Sequence, residues 1–213
     1  MSDLRRVIIG VSGASGAVYA RRMIRVLTGV GYHVHLVVSP LGQRLLHDEL
    51  GMEGVDIDAL AGSDAASGVT LHHYRDVGAA MASGSFRHDG MVIVPCSSNS
   101  LAAVAGGSQT NLLHRAAAVT LKERRRLILV HRESPLSTIE IDNMRRATDA
   151  GAVIFPANPG FYLLPRSIDD LVDFVVGRVL DLLDIEHDLH VRWAEDQAPA
   201  EHSPDGPNRS EQP

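Results

Sequence analysis

Apolar, β-branched runs alternate with amphipathic stretches along most of this 213-residue chain. That alternation predicts a doubly wound α/β domain, a parallel sheet with helices on both faces. Two further observations agree with it. The runs are hydrophobic on both faces, as expected of strands buried in a parallel sheet. Loops rich in Gly, Ser, Asn and Pro follow the ends of the runs, where such sheets receive their ligands. The length suits a single domain burying roughly 70% of its unfolded surface, and no internal repeat is visible.

Residues 7–11 form the first strand, and 17–30 carry apolar residues at helical spacing (Val18, Met23, Ile24, Val26, Leu27). Residues 33–39 read as a strand, 41–50 as a helix, 51–67 as a Gly/Ala/Asp/Ser-rich connection and 69–74 as a short strand. Another strand spans 90–97, followed by a loop and a helix of small residues. A helix over 111–126 leads directly into a strand at 127–133. The helix at 139–151 closes on Gly151, a left-handed cap. A last strand occupies 152–157, and Ser167 caps the final helix at 168–185. From about Glu195, Pro, Glu, Asp, Ser and Gln dominate. The expected organisation is one domain over 1–194 and a disordered tail over 195–213.

A formal charge of −6 with scattered Lys and Arg leaves no electrostatic footprint for nucleic acid. No apolar stretch reaches the ~18 residues of a membrane span, and the N-terminus lacks the regions of a secretory signal. The single cysteine, Cys96, fits a reducing cytoplasm.

The first loop, with Gly10, Gly13 and Gly16, has G-x-x-G-x-x-G spacing rather than the G-x-G-x-x-G of dinucleotide sites. Strand two ends in Ser39-Pro40, without the carboxylate that would hold a ribose. The loop has no lysine, so it is not a Walker loop. Backbone amides with the Ser12 and Ser15 hydroxyls at a helix N-terminus nevertheless predict an anion site, although small residues in a tight turn also serve packing alone. The loop at 95–100 (PCSSNS) adds hydroxyl and amide side chains. Two such loops with little charge suit a flavin mononucleotide better than a nucleoside triphosphate with its metal.

Arg115 and Lys122 are seven apart on one helix, hence on one face. The run Arg124-Arg125-Arg126 reads as a solvated helix end favoured by the dipole. Arg132 and Glu133 close a strand at the ligand edge, and Tyr162 lies in a Pro/Gly-bounded loop. Arg178, beside Gly177 in an apolar helix, points to an anion or a neighbouring subunit. Cations with one carboxylate describe a phosphate site able to supply a proton. Asp169, Asp170 and Asp173 match the D-D-x-x-D spacing of Mg²⁺-diphosphate sites. In a first helical turn they read instead as partners of the helix dipole. The eleven histidines, His72-His73 among them, include no pattern for zinc. Cys96 reads as a small buried hydrophobe or, less simply, a nucleophile. Trp193 either meets a neighbouring subunit or closes the core.

The segments SGASGA, PCSSNSLAAVAGG, NLLHRAAAVTLKERRRLILVHRESPLS, NMRRATDAGAVIFPANPGFY and DLVDFVVGRVLDLL resemble the flavin prenyltransferases of the UbiX type, from Arg6 to Trp193. The resemblance implies a flavodoxin-like (Rossmann-like) sheet and large oligomers, usually dodecamers, with FMN between subunits. It implies transfer of a dimethylallyl group from dimethylallyl phosphate to N5 and C6 of reduced FMN, without a metal. The prenylated FMN product then serves a UbiD-type decarboxylase. By the same resemblance, Gly13, Ala14, Ser15, Ser39, Ser97, Ser98, Asn99, Ser100 and Arg132 bind FMN. Arg115, Lys122, Tyr162 and Arg178 hold the prenyl phosphate. Ser15, Glu49, Lys122 and Glu133 take catalytic roles, with Glu133 protonating the departing phosphate. The chain departs from the family at Pro40, Thr110, Ala118 and the SSNS loop. Two alternatives stay open: an FMN-dependent cysteine-type decarboxylase, for which His47 stands near the expected histidine, and a non-catalytic flavin carrier.

Overall fold

The computed structural model describes residues 5–189. Six strands form one all-parallel sheet: β1 (Arg6–Val11), β2 (His33–Val38), β3 (Val69–His72), β4 (Gly90–Cys96), β5 (Leu127–His131) and β6 (Val153–Pro156), in the order β3-β2-β1-β4-β5-β6. The chain winds outward from β1 to β3, then returns to the other side of β1 at β4. The crevice above the β1/β4 boundary is thus the topological switch point.

Alternation along β1 divides the core. Val7, Ile9 and Val11 pack with α1 (Ala17–Gly29), α2 (Pro40–Leu50) and α7 (Ile168–Leu182). Ile8 faces the opposite cluster with α4 (Ser98–Ala105), α5 (Leu112–Lys122) and α6 (Thr138–Asp149). Successive strand side chains point to opposite faces, so a strand covered by helices on both must be apolar throughout.

The connection at 51–67 holds more structure than its composition suggested: α3 (Ile57–Ala61), capped by Asp56, and a 3₁₀ turn over Ser63–Gly68. Ser39, Ser97 and Asn111 cap α2, α4 and α5, while Ser137 and Ser167 form capping boxes on α6 and α7. Most helices thus start from a hydroxyl or amide that satisfies an end N–H.

The arginine run is solvated at Arg124 and Arg126, just past the helix end, while Arg125 is half-buried. Helix α5 stops at Lys122, and Arg124 takes a φ of 58°. Arg125 donates to the carbonyls of Phe86 and Gly84 at 2.6 and 2.8 Å, and Arg126 pairs with Asp184. Both tie the helix end to neighbouring segments. The D-D-x-x-D match is structural: Asp170 completes a capping box, Asp169 lies in the first turn, and Asp173 binds Arg22 with two hydrogen bonds of 2.6 and 2.9 Å. Trp193 and the tail over 195–213 lie outside the described residues.

Candidate active site

Ser12 fastens the two loops of the crevice together. Its side chain is buried; Oγ donates to the Pro95 carbonyl at 2.9 Å and accepts from the Ser97 N–H at 2.8 Å. The Ser12 hydroxyl is therefore spent on the protein, and of the two first-loop hydroxyls only that of Ser15 lies at the surface. Helix α2 presses on the same loop. A Cβ on Gly13 would lie 2.4 Å from Leu41 Cβ, and one on Gly42 would lie 2.6 Å from the Val11 carbonyl oxygen. Here the close approach of the helix requires glycine. Ala14 sits half-buried between these contacts, and Ser39 is buried as the α2 cap, accepting from the Gly42 N–H.

The expected anion cradle at the start of α1 is filled from within. Its cap residue, Gly16 (φ 123°), has no side chain to offer. Glu49, from the end of α2, supplies the missing acceptor and takes the N–H groups of Gly16 and Ala17 at 3.0 and 2.8 Å. A carboxylate satisfies the unpaired amides and the helix dipole together. Tyr19, on the first turn of α1, feels both sides of this site. Burial holds its phenol above the usual range, Arg132 opposes that rise and Glu49 adds to it.

Across the crevice, Ser97 caps α4, and Asn99 is exposed on its first turn. Ser100 is buried within hydrogen-bonding distance of Ser97 Oγ (3.4 Å) and His114 Nε2 (3.3 Å), so it supports the loop from below. Ser98 faces the other way. Its Oγ makes a short hydrogen bond to Glu140, lies 3.2 Å from Glu133 Oε2 and 3.4 Å from His131 Nε2. Arg132 and Glu133 are exposed beyond the end of β5, and Glu133 Oε1 accepts the Ser134 N–H at 3.1 Å. The sequence reading missed Glu140 and His131 altogether.

The proposed phosphate ligands fall in two further places. Arg115 Nε donates to the Ala82 carbonyl at 3.2 Å and its guanidinium reaches Gln109, while Lys122 pairs with Glu123 at 2.8 Å beside Gly84. Both cations thus address the 82–84 segment, as their shared helix face required. Tyr162 packs edge-on against Phe174, and Arg178, one turn further along α7, pairs with Asp181 at 2.9 Å. Phe161, Leu164 and Ile168 beside them expose 68–81% of their surface, an apolar patch on the rim. Cys96 is wholly buried, and burial pushes its thiol far up, away from nucleophilic use. Among the described residues, no group of three or more His, Cys, Asp or Glu is arranged to hold a metal ion, and no helix is long and apolar enough to cross a membrane.

Comparison with known proteins decides the family. The model of the Flavoprotein family matches residues 1–180. The flavin prenyltransferase UbiX of Deinococcus radiodurans is 47% identical over 193 residues, covering 91% of this chain and 95% of that one. The chain belongs to the flavin prenyltransferases.

Two solved structures place this membership in three dimensions. AnUbiX (PadA1), in complex with FMN and dimethylallyl pyrophosphate, is 41% identical with a TM-score of 0.76, over 86% of this chain and 94% of that one. A dodecameric FMN-dependent UbiX-like decarboxylase from Escherichia coli O157:H7 is 37% identical with a TM-score of 0.79, over 88% and 98%. The FMN-dependent cysteine decarboxylase TvaF, by contrast, is 13% identical and shares the fold alone, with a TM-score of 0.56 over 81% of this chain and 96% of that one.

Proposed function

We propose that this protein transfers a dimethylallyl group from dimethylallyl phosphate to reduced FMN, making the prenylated FMN used by a UbiD-type decarboxylase. The reading is carried by the 47% identity to a flavin prenyltransferase over most of the chain, and it is supported by the placing of Ser15, Ser97, Ser98, Arg132 and Glu133 just past the ends of the neighbouring strands β1, β4 and β5. The cysteine-decarboxylase alternative is not favoured, because its fold relatives stand at 13% identity.

The donor set suits FMN. Exposed or half-exposed Ser15, Ser97 and Asn99 offer neutral hydrogen bonds to a polar ring system, Ser98 offers its backbone at the same loop, and Arg132 offers one cation to a monophosphate. Gly13 and Ala14 keep the loop low enough for a ring to lie over it. Reduced FMN supplies the electron-rich atoms, N5 and C6, that accept the prenyl carbons.

The protein's own part is to draw away the phosphate. Breaking an allylic C–O bond leaves its electron pair on the phosphate oxygen and positive charge on the five-carbon unit. Arg115, Lys122, Tyr162 and Arg178 stabilise the growing negative charge in place of a metal ion. Glu133 delivers a proton to the departing oxygen. Glu49 stands as the carboxylate beside the prenyl group, and Ser15 relays a proton at the flavin edge.

Arg115 and Lys122 lie on α5, while Arg178 and Tyr162 lie on and before α7. The exposed Phe161, Leu164 and Ile168 sit on the rim between solvent and the α7 face. Apolar residues this exposed mark a surface that another chain covers. These features support a homododecamer in which neighbouring subunits complete each FMN site. The lone buried cysteine fits a cytoplasmic enzyme.

Anaerobic incubation with reduced FMN and dimethylallyl phosphate tests the reading. A flavin of altered absorption, heavier by one five-carbon unit, is the expected result. Unchanged FMN after many equivalents of substrate would overturn it, and binding without turnover would point to a flavin carrier.

A further inference from the structure

Past the end of α7 the chain folds back on the helix. Asp184 takes a φ of 57°; its N–H reaches the Asp181 carbonyl at 3.0 Å, and the Ile185 N–H reaches that of Leu180 at 3.1 Å. This pair of bonds is the Schellman closure, and aspartate enters the left-handed region more readily than most residues. Buried Ile185 anchors the return. His187 is thereby carried back beside the last turn of α7, with its side chain only 1% exposed.

The backbone fixes which ring nitrogen carries hydrogen. His187 Nδ1 accepts from the Leu189 N–H at 3.1 Å. Hydrogen therefore sits on Nε2, which donates to Asp181 Oδ1 at 3.2 Å. The other carboxylate oxygen, Oδ2, accepts from Arg178 Nη1 at 2.9 Å. One oxygen of Asp181 is thus held by a buried ring while the other aims a guanidinium. Arg178 is 46% exposed, and an exposed ion pair gains little when both side chains must be ordered to make it. Here the imidazole has ordered the acceptor in advance. Arg178 spends one of its five N–H donors on Asp181, and the rest of its fork is left for an anion.

We propose that Asp181 and His187 are positioning residues for Arg178: the buried imidazole orients the aspartate, and the aspartate holds the guanidinium in the pose that receives the prenyl phosphate. The inference rests on the functional reading above, in which Arg178 is a phosphate ligand, and names the device that sets it. It also gives the segment after α7 a task, since the chain reversal at Asp184 is what brings His187 to the helix.

Asp181→Asn tests the link with almost no change of shape. An amide has a single oxygen, so in either orientation its NH₂ group faces one of the two donors. The kcat/KM for dimethylallyl phosphate should fall about 3- to 10-fold, in the range of coupling between contacting residues, with FMN affinity unchanged. A merely structural role would give the same loss in any background, whereas a positioning role requires the loss to vanish when Asp181→Asn is added to Arg178→Ala. His187→Leu should follow Asp181→Asn. His187→Gln, whose amide both accepts from Leu189 and donates to Asp181, should restore the wild-type value. The Asp181 cycle decides alone where His187→Leu is too unstable to assay. Equal losses in both backgrounds would overturn the proposal, and so would wild-type kcat/KM in Asp181→Asn. Imidazole ¹⁵N NMR needs no turnover: His187 should carry hydrogen on Nε2, with a resonance that shifts in Asp181→Asn, and an Nδ1–H ring would overturn the proposal. If the wild type makes no prenylated flavin, the functional reading falls, while the NMR arm still decides whether His187 holds Asp181.

Discussion

Two polar clusters sit against the same sheet and differ in what they bring together. Around Ser98, donors and acceptors of unlike kind converge: two carboxylates, an imidazole and a hydroxyl. Around Phe86, like faces like. His35 Nδ1 lies 2.9 Å from His72 Nε2, His33 and His35 are two apart on β2, and the Arg6 guanidinium sits 5.3 Å from the centre of the Phe86 ring. Burial is the chief influence that lowers His35 and His88, each to about 4. His88 Nδ1 and Arg6 Nε are buried with no hydrogen-bond partner among the described residues. The first cluster joins groups that complement one another through hydrogen bonds, whereas burial in the second disfavours the charged imidazole.

The largest effect should come from breaking the first cluster. Glu133→Gln should cut prenyl transfer by about 10²- to 10⁴-fold, the usual contribution of a general acid, while FMN binding measured by fluorescence quenching stays intact. Wild-type turnover would remove Glu133 from the mechanism. Arg178→Ala asks whether the crevice extends to α7. It should lower kcat/KM for dimethylallyl phosphate by about 10- to 100-fold, consistent with the loss of a charge-assisted hydrogen bond worth about 1.5–3 kcal/mol, and leave FMN affinity alone. Loss of flavin instead would move Arg178 into the FMN site.

Ser12→Ala tests the strut beneath the crevice. The Pro95 carbonyl keeps the Ser12 N–H at 3.2 Å, but the Ser97 N–H is left without its acceptor, which should cost about 1–3 kcal/mol in urea unfolding. No change would mean that the two loops hold together without it.

The histidine patch is probed by acid. Because His35 and His88 are lowered from 6.5 to about 4, the unfolded chain binds more protons between those values. Stability should be level above pH 6.5 and fall as the pH drops toward 4. His35→Gln should make that slope shallower, and a slope unchanged from wild type would count against the patch. Smallest of all, Asp173→Asn should cost under about 1 kcal/mol, since the Arg22 pair it breaks is partly exposed. A change in prenyl transfer in that variant would revive a role for the D-D-x-x-D match.

Legibility followed the physics of each signal. Strands β1, β4 and β5 were plain in the sequence because burial on both faces demands uninterrupted apolar residues. Helix α3 was not, since five residues are too few to establish a period. Within the site, hydroxyl-rich loops at strand ends could be read, but the fate of each hydroxyl could not. Ser12 and Ser15 look alike in the sequence, yet one is buried as a brace and the other lies at the surface. Glu140 escaped notice because its nearest sequence signal, Ser137-x-x-Glu140, announces only a helix start. Its contact with Ser98 spans 42 residues, a distance no local pattern encodes. The D-D-x-x-D match shows the reverse, where fold class outweighed a literal motif.

Glu49 already occupies the doorway that a glycine loop of this type leaves open to phosphate. Stray orthophosphate, abundant in any cell, meets a resident negative charge there instead of bare amides. An anion arriving at the start of α1 would have to draw its hydrogen bonds from other groups, because the Gly16 and Ala17 amides are already taken.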